Sequence, residues 1–384
     1  MLNYTFYKTR LHIVLYLVRS LSFLKILNLL QNLFSYLFRL KSAGGIASVV
    51  TFQLCYECNL SCIMCQKSSR DKNDYNSNLT HMDFERIKEF IRAYHKKLIV
   101  IRLTGGEPLF YKQFEQLIDL FNAYKIKFTL LTNGTLLTES IMRKMIPNCV
   151  EISISMDSIH ETTYSQIRRG GNLQVVVENI RRLNEMKQKR KAPILNVAMT
   201  CFSFNIDELS DLVKFCNTYH IPTLSAGEGT FYNTPEIKEE HFIKNNRDQV
   251  FRAVNKAQKT ADELGITLRL NAPILYYAKE ENRVISNRDP VTGCTDYYIY
   301  CIITPEFEVK LCPASDTVLQ LDKSNLLTFW NSPSLKTNRK VLEEGRFPQT
   351  CRYCTDYNLN LGCGNDYSFV SYQKRTKYWK IDNS

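Results

Sequence analysis

An α/β fold built on a parallel sheet is what this sequence predicts, and two observations predict it. From residue 48 onward strand-like and helix-like segments alternate, and glycine-rich or polar motifs fall directly after the strands, where open α/β folds bind ligands. Strands are expected at Val49–Leu54, Leu98–Leu103, Lys127–Thr132, Val150–Met156, Ile194–Thr200 and Thr223–Ala226. Helices fill the intervals at Asp83–Tyr94, Gln113–Tyr124, Thr138–Met145, Leu173–Lys189 and Ile206–Tyr219. Such alternation implies right-handed crossovers between parallel strands.

The segment before the first strand is of another kind. Residues 1–48 hold no Asp or Glu but carry Lys8, Arg10, Arg19, Lys25, Arg39 and Lys41, half of a net charge of +12. Leu, Phe, Tyr and Ile dominate from Leu11 to Leu40, yet Arg19, Lys25, Asn28, Gln31 and Asn32 interrupt them, so no run of about 20 apolar residues is present for a membrane span. The stretch is also too long and too charged for a signal peptide, and lacks a small-residue cleavage site. It reads either as a basic amphipathic arm lying on an anionic membrane surface or as helices packed on the protein body. The absence of acid favours the first. Ser42-Ala43-Gly44-Gly45 reads as a flexible break before the first strand.

With 384 residues, 44% hydrophobic and 23% charged, the chain is globular and long enough for several domains. Its thirteen cysteines are too sparse for a disulfide scaffold and too clustered for chance, since four lie in Cys55–Cys65 and six in Cys294–Cys363. An odd count with CxxC spacing indicates metal ligation in a reducing compartment, here a low-oxygen cytoplasm. The six histidines show no metal-ligand spacing. The basic run Lys187-Gln188-Lys189-Arg190-Lys191 is a charged helix end and not a nucleic-acid patch, because it lacks interleaved aromatics.

The chemistry centres on Cys58-Asn59-Leu60-Ser61-Cys62-Ile63-Met64-Cys65, a loop directly after the first strand. Three thiolates on one compact loop can occupy three corners of a [4Fe-4S] cluster and leave the fourth iron open. A structural zinc site is the alternative, although it prefers four ligands in two knuckles. Cys55 is expected in the core, as alternation along the strand buries it.

This spacing resembles that of the radical S-adenosylmethionine (radical SAM) superfamily, with Met64 at the position that family sets against the adenine. The resemblance implies a partial (β/α)6 TIM-like barrel, residues 47–275, after an N-terminal helical arm, residues 1–46. Thr104-Gly105-Gly106-Glu107-Pro108 resembles the family's GGEP motif, whose backbone and acid bind the methionine amino group. Ser155 and Asp157, closing the fourth strand, resemble the ribose contacts, with Asn133 beside them. Arg168 matches the arginine that pairs with the methionine carboxylate, and the adjacent Arg169 leaves the register open by one residue.

Residues 276–384 resemble the SPASM and shorter twitch extensions that hold auxiliary [4Fe-4S] clusters. A hairpin about Pro305-Glu306-Phe307 brings Cys294 and Cys312 toward one region, and Cys351 and Cys354 form a CxxC knuckle. One auxiliary cluster on Cys294, Cys312, Cys351 and Cys354 is implied, with Cys363 or Cys301 as replacements and zinc as the alternative metal. Phe307 stands where those hairpins carry glycine.

Together these readings describe an oxygen-sensitive enzyme that reductively cleaves S-adenosylmethionine and abstracts hydrogen from a substrate carbon, fed by a flavodoxin- or ferredoxin-type donor. The basic apolar arm suits a lipid-linked or envelope-glycan substrate met at the membrane's inner face. Peptide or protein modification is the alternative, and a non-catalytic zinc or iron-sulfur protein the alternative of another class.

Overall fold

The computed structural model describes residues 21–65, 81–187, 190, 192–229, 236–271, 274, 296–311, 318–321 and 326–343. In chain order its elements are α1 (Phe23–Leu37), β1 (Val49–Gln53), α2 (Phe84–Tyr94), β2 (Val100–Thr104), α3 (Phe114–Ala123), β3 (Phe128–Thr132), α4 (Glu139–Met145) and β4 (Cys149–Ser155). There follow α5 (Glu161–Ile167), α6 (Leu173–Lys187), β5 (Ile194–Cys201), α7 (Leu209–Thr218), β6 (Thr223–Glu228), α8 (Arg247–Leu264) and β7 (Thr267–Leu270). The last are α9 (Asp296–Ile299), β8 (Tyr300–Ile303), β9 (Glu308–Lys310), β10 (Val318–Gln320), α10 (Leu326–Trp330) and α11 (Pro333–Glu343). The α/β expectation holds, and the chain falls into two compact units, one drawn from Leu54–Phe84 and Leu103–Glu280, the other from Ser20–Gln53, Glu85–Arg102 and Glu281–Ser384.

In the first unit β3, β4, β5, β6 and β7 pair in sequence order, all parallel. Along β4, Val150, Ile152 and Ile154 are buried apolar residues, whereas Glu151, Ser153 and Ser155 share the other face, as a period of two requires. That second face is polar. Asn196 on β5 donates to Ser153 Oγ at 2.7 Å and accepts from Ser225 Oγ on β6 at 2.9 Å. Glu151 on β4 meets Arg269 on β7 at 2.9 Å. Three strand spacings separate β4 from β7, roughly 14 Å in a flat sheet, so this contact requires the sheet to curl toward its polar face. Curled parallel strands with intervening helices are the geometry of a partial barrel.

In the second unit β1 pairs with β8 in parallel register, Val49 with Tyr300 through Phe52 with Ile303, and β8, β9 and β10 form an antiparallel meander. The hairpin expected about Pro305–Phe307 is present. Phe307 takes φ +61°, the left-handed conformation that glycine adopts without steric cost. Its ring is covered by the Arg86 guanidinium, 3.9 Å from the centroid. Of the strand-like run Tyr297–Thr304 that leads into this hairpin, the first three residues belong to the helix α9 and the strand begins at Tyr300, and β7 was not anticipated.

The arm segment of this unit has an inverted pattern. Lys25, Asn28, Asn32, Ser35 and Tyr36 are the buried residues of α1, while Phe23, Leu30, Phe34 and Leu37 are exposed. Hydrogen bonds dictate this register. Asn28 Nδ2 donates to Ile46 O (3.1 Å) and Ser48 Oγ (3.0 Å) and its Oδ1 accepts from Ile46 N–H at 2.9 Å; Asn32 Oδ1 accepts from Gly45 N–H at 3.2 Å. Residues 42–45 are therefore a packed segment and not a flexible break. A Cβ at Gly45 would lie 2.5 Å from Asn28 Oδ1, so glycine is what admits the close approach.

Candidate functional site

The site is built at the carboxyl ends of the strands in the first unit, starting from the backbone of the cysteine loop. On one side Leu54 N–H donates to Thr104 O at 2.8 Å, Gly106 N–H to Cys55 O at 2.7 Å and Glu107 N–H to Glu57 O at 2.8 Å. On the other side Ser61 and Ile63 N–H donate to Arg169 O and Ile167 O, both at 3.0 Å. Two segments remote in sequence thus fix the loop between them. The glycine pair is needed for contact: a Cβ at Gly105, where φ is +149°, would lie 2.5 Å from Cys55 O, and one at Gly106 2.3 Å from Glu57 O. Gly106→Ala is expected to displace the loop by steric overlap, at about 1–3 kcal/mol, and to lower iron content after anaerobic reconstitution. Iron content and a thermal midpoint equal to wild type would show that the loop tolerates the shift.

Cys62 is buried and Cys58 and Cys65 half-buried, all as free thiols. Burial pushes the Cys62 thiol up to about 11, with the Arg168 guanidinium pulling the other way. Asn133 Nδ2 donates to Cys58 Sγ at 3.8 Å and Arg168 Nη1 to Cys62 Sγ at 3.9 Å. Leu60 N–H adds a bond to Cys58 Sγ at 3.3 Å. Among the described residues no three His, Cys, Asp or Glu side chains converge tightly enough for a single metal ion. A cubic cluster takes each thiolate on a different iron, whereas tetrahedral zinc draws its sulfurs to about 2.3 Å from one point. Cys55 is a core residue, as expected. Its thiol is fully buried, donates to Glu107 O at 3.2 Å and is pushed up to about 12 by burial.

Glu107 is 1% exposed and ties strand ends together. Its Oε1 accepts from Thr132 Oγ1 at 2.7 Å and Leu109 N–H at 3.2 Å, and its Oε2 accepts from Asn133 N–H at 2.8 Å. Burial raises its carboxyl pKa, and those three donors oppose the rise. A carboxylate has about four acceptor positions, so one on Oε2 stays open to a cation. Pro108 opens the short 3-10 turn that Glu107 caps. Asn133 also reaches Asn59 Oδ1 at 2.9 Å, which locks the end of β3 to the cysteine loop.

The structure separates the two adjacent arginines. Arg169 is half-exposed and pairs with Glu236 at 2.8 Å. Arg168 points inward and pairs with Asp157 Oδ2 at 2.7 Å, with both side chains buried. Asp157 takes φ +61°, is fully buried and accepts from Thr200 N–H at 2.7 Å. Its place is thus beneath Arg168, while Ser155, half-buried at the end of β4, keeps its hydroxyl on the polar face. Met64 packs against the apolar cluster of Ile63, Ile167, Phe202, Ile237 and Phe242.

Two further polar atoms in this region, Arg168 Nε and the Tyr164 hydroxyl, are buried and have no hydrogen-bond partner among the described residues. Buried donors without partners are costly, and here they accompany a cationic side chain against a ligand thiol. Three thiols on one loop, a buried cation and spare donors fit an anionic iron-sulfur cluster with a carboxylate-bearing ligand. Sequence reasoning gave no role to Thr132, Asn59 or Tyr164, although each lies in a stretch already in view, beside Asn133, Cys58 and Arg168 respectively.

Glu228, at the carboxyl end of β6, was also missed. Burial pushes its carboxyl up to about 7, against the N–H of Lys244, and its Oε1 has no hydrogen-bond partner among the described residues. A carboxyl raised above its unfolded value of 4.5 stabilises most below that pH, and the contribution is lost as pH rises through about 7. Glu228→Gln should therefore gain on wild type in urea midpoint between about pH 5 and pH 8. A difference independent of pH would show that Glu228 is solvated.

Of the auxiliary candidates, Cys294, Cys312, Cys351, Cys354 and Cys363 lie outside the described residues. Cys301 is fully buried in β8, its pKa raised by burial.

A curled parallel sheet carrying a three-thiol loop at its carboxyl ends defines an iron-sulfur protein of the partial-barrel class. The sequence matches the radical SAM superfamily over residues 53–216. It is 30% identical over 240 residues to a GTP 3',8-cyclase of Clostridium perfringens, covering 58% of this chain and 67% of that protein. A GTP 3',8-cyclase of Clostridium botulinum is 27% identical over 302 residues, covering 72% and 87%. SuiB of Streptococcus suis, solved with S-adenosylmethionine, superposes with a TM-score of 0.61 at 16% identity over 76% of this chain and 67% of that one. For anSMEcpe with bound S-adenosylmethionine the values are 0.57 and 16%, over 82% and 89%. The chain belongs to the radical SAM superfamily. It is accordingly a radical SAM enzyme, using that family's [4Fe-4S] cluster and S-adenosylmethionine.

Proposed function

We propose that this enzyme converts S-adenosylmethionine and one electron to methionine and a 5'-deoxyadenosyl radical, which takes hydrogen from a carbon of a lipid-linked or envelope-glycan substrate. The observation that carries the chemistry is the cysteine loop, fixed between Gly106–Glu107 and Ile167–Arg169 with Arg168 against Cys62. Cys58, Cys62 and Cys65 would hold the cluster, which when bound supplies the electron and an open iron. The open lone pair of Glu107 would receive the methionine amino group, with Gly105, Gly106 and Pro108 shaping that approach. Arg168, charged and held by Asp157, would face the carboxylate. Ser155 and Asn133 would meet the ribose, and Met64 the adenine. Excluding water and stray hydrogen donors around the substrate carbon is what would guard the radical.

An auxiliary cluster on Cys294, Cys312, Cys351 and Cys354, with Cys363 or Cys301 as replacements, would accept the substrate electron or ligate the substrate. The donor would be of the flavodoxin or ferredoxin type. The substrate preference rests on the acid-free arm and on the exposed apolar face of α1.

The test is anaerobic reconstitution with iron and sulfide, followed by dithionite and S-adenosylmethionine. Brown protein that releases 5'-deoxyadenosine is expected. Colourless protein that retains zinc and yields none would overturn the reading. The relatives' name supports a second substrate reading, a guanine nucleotide, checked by adding GTP to the same reaction and following its consumption. The peptide reading has the fold likeness alone behind it, and a peptide substrate would have to be found by assay.

A further inference from the structure

We infer that the outward face of α1 is a docking surface for an anionic lipid bilayer, on which the helix lies parallel to the membrane plane. Phe23, Leu30, Phe34, Leu37 and Phe38 are each more than half exposed, at 75%, 56%, 55%, 66% and 63%. A surface helix of a globular protein ordinarily turns such residues inward and its polar ones to water. Here the opposite orientation is enforced, because Asn28, Asn32 and Ser35 are engaged with Ile46, Ser48, Gly44 and Gly45 on the inward side. Rotating the helix to bury its leucines would break those bonds. An open apolar groove of about 510 Å³ continues the face between Leu30, Phe34, Leu40 and Ala43.

Charge complementarity selects the occupant. The helix is followed in the sequence by Arg39 and Lys41 and preceded by Lys8, Arg10 and Arg19, with no acid anywhere in residues 1–48. Near an anionic leaflet each such cation is attracted, and apolar insertion adds to that attraction. A second copy of this chain docked through the same face would bring two acid-free basic segments together, which is repulsive. The helix, at 15 residues, is about 22 Å long and too short to span. No described helix is long and apolar enough to cross a membrane. The substrate preference proposed above leans on this surface; the cleavage chemistry does not.

The test is sedimentation of the full chain with phosphatidylcholine vesicles, with and without phosphatidylglycerol, across a salt series. Wild type should bind the anionic vesicles, more weakly at high salt but still measurably, because the apolar contribution is unscreened. Leu30→Glu/Phe34→Glu, which touches only the exposed face, should bind at least about tenfold more weakly while keeping its circular dichroism and its cleavage of S-adenosylmethionine. Wild type that ignores anionic vesicles, or a folded double variant that binds as wild type does, would overturn the inference. So would a stable dimer that the double variant dissociates, or evidence from cross-linking that residues 1–20 of the same chain cover the face. Wild type that cleaves S-adenosylmethionine yet ignores anionic vesicles would overturn this inference and leave the proposed chemistry standing.

Discussion

Replacing Cys58, Cys62 and Cys65 together by alanine is expected to reduce 5'-deoxyadenosine formation to background and to leave the protein folded with about half its iron. The activity falls completely because a cluster with no thiolate on this loop has no place to be held at the strand ends. The fold should survive because the loop's backbone bonds to Thr104, Gly106, Glu107, Ile167 and Arg169 involve no thiol. Residual iron would report the proposed auxiliary cluster. A triple variant that kept all its iron would move the cluster elsewhere, and one that still cleaved S-adenosylmethionine would refute the assignment of this loop.

The second large effect is expected at the buried ion pair. Arg168→Met leaves Asp157, fully buried, without its 2.7 Å cationic partner. Breaking a buried pair by removing one member costs about 3–5 kcal/mol, since the other charge is left uncompensated in a poorly solvating site. The urea midpoint should fall accordingly. Adding Asp157→Asn removes that stranded charge while keeping an oxygen for Thr200 N–H, and asparagine tolerates the φ of +61° found here. The double variant should thus recover about 1–3 kcal/mol over Arg168→Met. No recovery would mean that packing around the guanidinium, and not its charge, is what the fold uses.

Much of the first unit was legible because its pattern is local. The β3, β4 and β5 segments fall within a residue of their expected bounds, and α3 and α4 likewise, since apolar periodicity and caps such as Thr138 are written into consecutive residues. β7 escaped because four residues carry too little periodicity to compete with the helix before it. The inward face of α1 was open for another reason: amphipathicity says which residues share a face and not which face is buried, so the arm could be read either way. The hydrogen bonds of Asn28 and Asn32 to Ile46 and Ser48, 14 to 20 positions away, turn the polar side inward. The arginine register was undecidable from Arg168-Arg169 alone, because adjacent residues differ in direction only once α5 ends and the chain turns at Gly170.

The two-sided support of the cysteine loop bears on what happens when the cofactor is lost. Many small metal-binding domains unfold without their metal, because the metal supplies the folding free energy. Here the scaffold that shapes the loop is the barrel itself, through strand-end carbonyls and amides that persist whatever the sulfurs bind. A cluster destroyed by oxygen would leave behind a preformed cradle and not an unfolded chain. The emptied protein is therefore expected to keep its thermal midpoint and to accept a new cluster on anaerobic reconstitution, without refolding.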